Sequence, residues 1–186
     1  MSVGRQQPGG VLCVGVTGHI RLTAQSRRLI FEDLVSRLRR HQAGHRVLHG
    51  VTCLADGADR LFARAIRACA GTFDVILPEQ PDSRRETGRL LRQARTVTTV
   101  PADPTPAVRY AAASEQVVRN CDVLIAVWDG TPDGEHGGTA HTVAQARRLG
   151  VPVEIVWPAG AQRRQVGGGS MSHSRRPPAT ADRTSG

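Results

Sequence analysis

Three short stretches of the sequence place glycine beside side chains able to hold an anion or a cation. They are Thr17-Gly18-His19, then Asp56-Gly57-Ala58-Asp59-Arg60, and Asp129-Gly130 leading on to Gly137-Gly138-Thr139. A glycine removes the Cβ where a backbone must come close to another group. The free amides at the start of a helix carry partial positive charge, and a threonine hydroxyl adds a donor. Such loops suit a phosphate, with Thr17, Gly18, Gly57, Gly138 and Thr139 as its cradle. Asp56, Asp59 and Asp129 would then bind ribose hydroxyls, or hold Mg²⁺ against a diphosphate. A plainer reading stands beside this one. The glycines make tight turns, Thr139 caps its helix, Asp59 caps another or pairs with Arg60, and Asp133 and Glu135 are solvated in a polar loop.

What the loops lack narrows the chemistry. The GxGxxG fingerprint is missing, and all 25 basic residues are arginine, so no lysine completes a Walker A loop. A conventional NAD dehydrogenase and a P-loop NTPase are both disfavoured. His136 and His141 bracket the glycines without a third ligand at metal spacing, so no metal centre is assigned. His19 would donate to a phosphate or stack on a base, or else pack beside the next helix. His49 falls within a strand as a satisfied interior or edge residue, and Tyr110 and Trp128 read as core. Cys13, Cys53, Cys69 and Cys121 form no CxxC pair and read as structural thiols.

The elements that would position these loops alternate along the chain. Apolar runs at Val11 to Val16, Arg46 to Val51, Phe73 to Pro78, Thr96 to Val100, Asp122 to Trp128 and Val151 to Trp157 read as strands. Helical spacing lies between them. Ile30, Leu34 and Leu38 mark one helix that runs to Gly44, and Leu61, Phe62, Ala65, Ile66 and Cys69 mark a second closed by Gly71. Ser83 and Glu86 have capping-box spacing before a third, and Thr105-Pro106 opens a fourth. The fifth runs from about Thr139 to Leu149, with Gly150 after it. Apolar strands joined through helices imply a mostly parallel sheet covered on both faces, an α/β Rossmann-like three-layer sandwich. In such sheets ligands bind beyond the carboxyl ends of the strands, which is where the three loops fall.

At 186 residues the chain suits one domain. We expect it over residues 10–158, with a disordered arm at 1–9 and a disordered basic tail at 159–186, where Gly, Ser, Pro and Arg replace apolar periodicity. The formal charge of +9 resembles that of a nucleic-acid binder until it is divided, since five arginines against the single Asp182 lie in the tail. Arg27, Arg28, Arg37, Arg39 and Arg40 fall on one helix as a solvated face. With three Phe, two Trp and one Tyr there is little aromatic surface for stacking bases. Nucleic acid is therefore disfavoured for the folded part. No run approaches the length of a membrane span and the N-terminus has no apolar leader, so a cytoplasmic protein is expected.

VGVTGH, ADGADRLFARAI and CDVLIAVWDG, with GGTAHTVAQARRLGVPV, together resemble the SLOG superfamily of Rossmann-like nucleotide-associated domains, from about Val11 to Trp157. The nearest likeness is to small bacterial members with GxRGADRLA-type loops, of which only the GADRL portion is matched here. The resemblance implies a nucleotide or nucleotide-derived ligand and a homodimer. Its wider relatives are the cytokinin-activating phosphoribohydrolases, the DNA-processing protein A family and, more distantly, the nucleoside 2-deoxyribosyltransferases. The phosphoribohydrolases carry a glutamate three residues after the motif threonine, where this chain has Thr142. A threonine supplies no charge to an oxocarbenium-like transition state. Binding or sensing is accordingly preferred to an N-glycosidic hydrolase or transferase, with DNA binding as a third reading and no catalytic residue assigned.

Overall fold

The computed structural model describes residues 10–43, 47–79, 85–101, 110–131 and 138–164. Along the chain lie β1 (Val11–Gly18), α1 (Ala24–Gln42), β2 (Val47–Thr52), α2 (Ala58–Ala68), β3 (Thr72–Pro78), α3 (Arg85–Leu91), β4 (Val97–Val100), α4 (Ala111–Arg119), β5 (Val123–Val127), α5 (Thr139–Arg148) and β6 (Val153–Val156). All six expected strands and five helices are present, with bounds displaced by a residue or two except at α4, expected from Thr105-Pro106 and described from Ala111. Ser83, Thr105 and Pro106 lie outside the described residues, as do Asp133, Glu135, His136 and Gly137.

The strands form one sheet in the order β4-β3-β2-β1-β5-β6, and every neighbouring pair is parallel. Successive residues of a strand face opposite sides, and here both sides are buried. Leu12, Val14 and Val16 of β1, Leu48 of β2 and Phe73 and Val75 of β3 pack with Ile30, Leu34 and Leu38 of α1 and Phe62 and Ile66 of α2. On the other face Val51, Ile76 and Leu124 pack with Ala113, Val117 and Val118 of α4 and Ala146 of α5. This double burial is why a central strand such as β5 is apolar throughout rather than alternating, whereas the edge strands β4 and β6 are more exposed and carry Thr98, Thr99 and Glu154. The order reverses between β1 and β5, so their carboxyl ends flank the crevice of the sheet.

Local signals explain how the helices begin and end. Thr23 caps α1 by accepting the Ser26 amide at 3.1 Å. After α5, Gly150 takes a left-handed conformation (φ +73), with the Gly150 amide donating to Arg147 and that of Val151 to Ala146. After α2 the left-handed residue is Ala70 (φ +55), not Gly71. A Cβ on Gly71 would lie 2.9 Å from the Leu48 carbonyl oxygen, so close packing against β2 explains that glycine.

The chain does not leave the domain at residue 158. Beyond β6 it turns at Gly160 and runs back along the start of α1, where Leu22 and Arg163 form an antiparallel bridge. The amide of Gln162 donates to Ser26 Oγ at 2.7 Å, Ser26 Oγ donates to the Gln162 carbonyl at 2.9 Å, and the Arg164 amide donates to the Arg21 carbonyl at 2.9 Å. Residues 159–164, expected in the tail, thus form a strap over the β1–α1 junction. Its polar sequence hides this because backbone and a buried serine hold it, with only Ala161 packing on the core.

Candidate functional site at the carboxyl edge of the sheet

Thr17 and Gly18 end β1, in register with Ala126 and Val127 of β5. Thr17 is buried. A Cβ on Gly18 would lie 2.6 Å from the Ala58 Cβ and 2.7 Å from the Val127 Cβ, so this glycine lets β1, β5 and the start of α2 meet. The group whose close approach it permits is another part of the same chain.

Gly57 behaves alike. It precedes α2 with φ +78, and a Cβ there would lie 2.3 Å from the His19 carbonyl oxygen and 2.7 Å from the Ile20 Cα. The same oxygen accepts the Ala58 amide at 3.1 Å, so the β1–α1 loop covers the start of α2. Where an open phosphate cradle is expected at Gly18 and Gly57, the structure places packed backbone. The sequence signal is the same for both, since a glycine admits a phosphate and a neighbouring loop equally.

The carboxylates beside Gly57 face different surroundings. Asp59 is buried and accepts from Thr52 Oγ1 and from the Cys53 amide, each at 3.0 Å. Burial pushes its carboxyl up to about 6 against the opposing pull of these bonds. It therefore ties α2 to the end of β2, neither capping the helix nor meeting solvent. Asp56 is half-buried and accepts from the Gly57 amide at 2.8 Å, from Arg27 at 3.1 Å and from Arg60 at 3.4 Å. Burial raises its carboxyl, but the Gly57 amide and the two guanidinium groups outweigh that and leave it below its ordinary value. Arg60 is itself buried and also donates to the Leu54 carbonyl at 3.4 Å. Arg27, expected on a solvated face, is instead drawn to Asp56.

The β1 and β5 loops are joined by side chains. His19 is 5% exposed, its Nε2 lies 3.0 Å from Asp129 Oδ1, and its ring meets Trp157 edge-on at 5.4 Å between centroids. The same Nε2 also accepts the Asp129 amide at 3.3 Å, so side chain and backbone of Asp129 both face the ring. The other carboxylate oxygen of Asp129 pairs with Arg163 Nε at 2.9 Å. Burial raises the Asp129 carboxyl, while the Thr131 amide, His19 and Arg163 more than reverse this and hold it below its usual value. Gly130 has φ +82, and among the described residues a Cβ there would meet nothing within 4 Å, so on their side the backbone borders open space.

At the start of α5, Gly138 is the N-cap and Thr139 the first helical residue, so Thr139 does not cap the helix. Thr139 and Thr142 are both buried, and Thr142 Oγ1 donates back to the Gly138 carbonyl at 3.3 Å. Thr142 is thus occupied with its own helix. Among the described residues no group of three or more His, Cys, Asp and Glu is placed to hold a metal ion.

The structure thus brings Thr17, Gly18, His19, Asp56, Gly57, Asp129 and Gly130 into one connected edge, with Asp59 and Arg60 turned inward. Sequence reasoning misses Arg163 and Trp157 in this cluster. Arg163 carries no periodic or motif signal, because its position depends on the strap.

No family model matches the sequence, and no curated protein matches it. Solved structures do match in fold. One, described as TM1055, superposes with a TM-score of 0.52 at 20% identity, covering 77% of this chain and 72% of the other. DNA processing protein A from Streptococcus pneumoniae gives 0.59 at 15% identity over 80% of this chain and 51% of its own. The molybdenum cofactor carrier protein from Chlamydomonas reinhardtii gives 0.51 at 18% identity over 78% and 76%. These likenesses bear on the fold, which is a Rossmann-like α/β fold with an all-parallel six-stranded sheet.

Proposed function

We propose that the protein binds or senses a nucleotide or nucleotide-derived metabolite at the carboxyl edge of the sheet. The observation that carries this reading is the meeting of the Asp129-Gly130 turn with His19, just beyond Thr17 and Gly18 of β1, at the point where strand order reverses. That is the position at which open parallel sheets hold ligands. Gly138 and Thr139 at the start of α5, with Gly137 before them, supply the phosphate contacts. Gly18 and Gly57 act behind the site by letting its loops pack, and Asp56 orients Arg27 and Arg60. A divalent cation such as Mg²⁺ enters with a diphosphate-bearing ligand.

The names of the structural neighbours support binding in general, one being a cofactor carrier and another, from Helicobacter pylori, being described by its single-stranded DNA binding mode. A binding role fits the chain better than glycosidic cleavage, because Thr142 offers no charge and is bonded within its helix. The reading includes a homodimer, checked by light scattering, and a cytoplasmic setting, where the nucleotide pool and free thiols such as Cys53 and Cys69 coexist.

A thermal-shift panel tests it, using AMP, ADP, ATP, cyclic nucleotides, NAD, NADP, ADP-ribose and ribose 5-phosphate with and without Mg²⁺. A ligand that binds only the folded state raises the melting temperature by mass action. One class is expected to do so, with the rise abolished in Gly138→Asp, whose carboxylate opposes a phosphate at the helix start. No rise with any of them would overturn the reading.

A further inference from the structure

Any side-chain cation that this chain offers an anion at the carboxyl edge must be arginine or histidine, because it has no lysine. Arg27 and Arg60 are engaged with Asp56 on the α2 side, and Arg60 is only 2% exposed. Arg163 differs from Arg60 in position and exposure. The strap brings it to the end of β5, its Nε lies 2.9 Å from Asp129 Oδ2, and its side chain is 38% exposed. The Gly130 backbone that borders open space is the next residue after its partner.

Asp129 would otherwise present a carboxylate to that space. A carboxylate within a few ångströms repels a phosphate, and the repulsion grows where water is partly excluded. The guanidinium offsets this repulsion by pairing with Asp129, so the rim presents no net negative charge to an anion. The backbone bonds of Gln162 with Ser26 and of Arg164 with Arg21 fix the strap on either side of Arg163, so this cation is held in place.

We propose that Arg163 sets the ligand class of the site, its charge making the β1–β5 crevice select a phosphate-bearing anion. The proposal rests on the nucleotide-binding reading and adds to it a residue on the segment after β6.

The test is an amide NMR titration of the full chain with inorganic pyrophosphate and with AMP, comparing wild type, Arg163→Gln and Arg163→Lys. Wild type is expected to show shifts at Asp129, Gly130 and Gly138. Arg163→Gln is expected to need about tenfold more ligand or above, the usual cost of losing a charged hydrogen-bond partner. Arg163→Lys keeps the charge and is expected to stay within about threefold of wild type by the same argument. Slow exchange of the Gln162 and Arg164 amides shows that the strap remains seated. If Gln loosens the strap, the lysine variant decides the matter, and a loss as large as that of Gln overturns the proposal. Equal affinity in wild type and Arg163→Gln overturns it while leaving the nucleotide reading intact. Absence of any shift in wild type overturns both.

Discussion

His19 Nε2 and Asp129 Oδ1 lie 3.0 Å apart, joining the residue after β1 to the turn after β5. The backbone repeats the link, since the His19 amide donates to the Val127 carbonyl at 3.1 Å. Two strands far apart in sequence are thereby locked at the ends between which a ligand would lie. The charge on Asp129 serves two partners, His19 and Arg163, and leaves its carboxyl below its ordinary value. A carboxyl lowered on folding adds stability above its unfolded value, and that stability disappears as pH falls through and below it. Asp129→Asn is expected to be less stable than wild type at pH 7, with the gap closing as pH falls below about 4. Urea denaturation of both proteins across that range checks this, and a gap independent of pH would refute it.

The two glycines with positive φ in the site loops make opposite predictions. Gly57 has no room for a Cβ, which would lie 2.3 Å from the His19 carbonyl oxygen, whereas a Cβ on Gly130 would meet nothing within 4 Å among the described residues. Gly130→Ala bears only the left-handed backbone cost, about 1 kcal/mol. Gly57→Ala bears that cost plus displacement of the β1–α1 loop, on the order of 3 kcal/mol or more. Melting temperatures of the two variants should separate clearly, and equal values would mean that the loops part without cost.

These contrasts show what the sequence could and could not disclose. The layers were legible because doubly buried strands such as Val123–Val127 are apolar throughout, and because Ile30, Leu34 and Leu38 keep helical spacing. The carboxyl-edge loops were legible as unusual, since each combines glycine with a carboxylate or hydroxyl. Which of their glycines face solvent was not. Gly18, Gly57 and Gly130 look alike in a row of letters, and only the pairing of β1 with β5, for Gly18, and the lie of the β1–α1 loop, for Gly57, show that the first two face protein. The strap was hidden for a different reason. Gln162 and Arg164 hold their places through backbone bonds, which leave no mark on composition.

Ser26 tests the strap apart from any ligand. It is fully buried and exchanges two hydrogen bonds with Gln162, at 2.7 and 2.9 Å, while Thr23 caps the same turn. Ser26→Ala leaves the Gln162 amide and carbonyl without that partner, at about 1–3 kcal/mol. Faster amide exchange should be confined to residues 159–164 and the start of α1, with the sheet unchanged. Exchange unaltered at Gln162 would show that the serine does not hold the strap.

Asp59 supplies a pH dependence of the opposite sign to that of Asp129. Its carboxyl is pushed up to about 6 by burial, from an ordinary value of 3.8. The folded protein therefore keeps a proton there that the unfolded chain has already released between these values. Stability from this group is greatest below pH 4 and is lost as pH rises towards 6, after which it is constant. Asp59→Asn removes the titration while leaving an oxygen able to accept from the Cys53 amide or from Thr52. Relative to this variant, wild type should lose stability as pH is raised from about 4 to 6 and then run parallel to it. Asp59→Ala leaves both donors without an acceptor and should be the less stable variant at every pH, by about 1–3 kcal/mol. Denaturant midpoints for the three proteins at pH 4, 5, 6 and 7 would settle the sign, and a wild type that gains on Asp59→Asn as pH rises would place Asp59 in an environment that favours its charge.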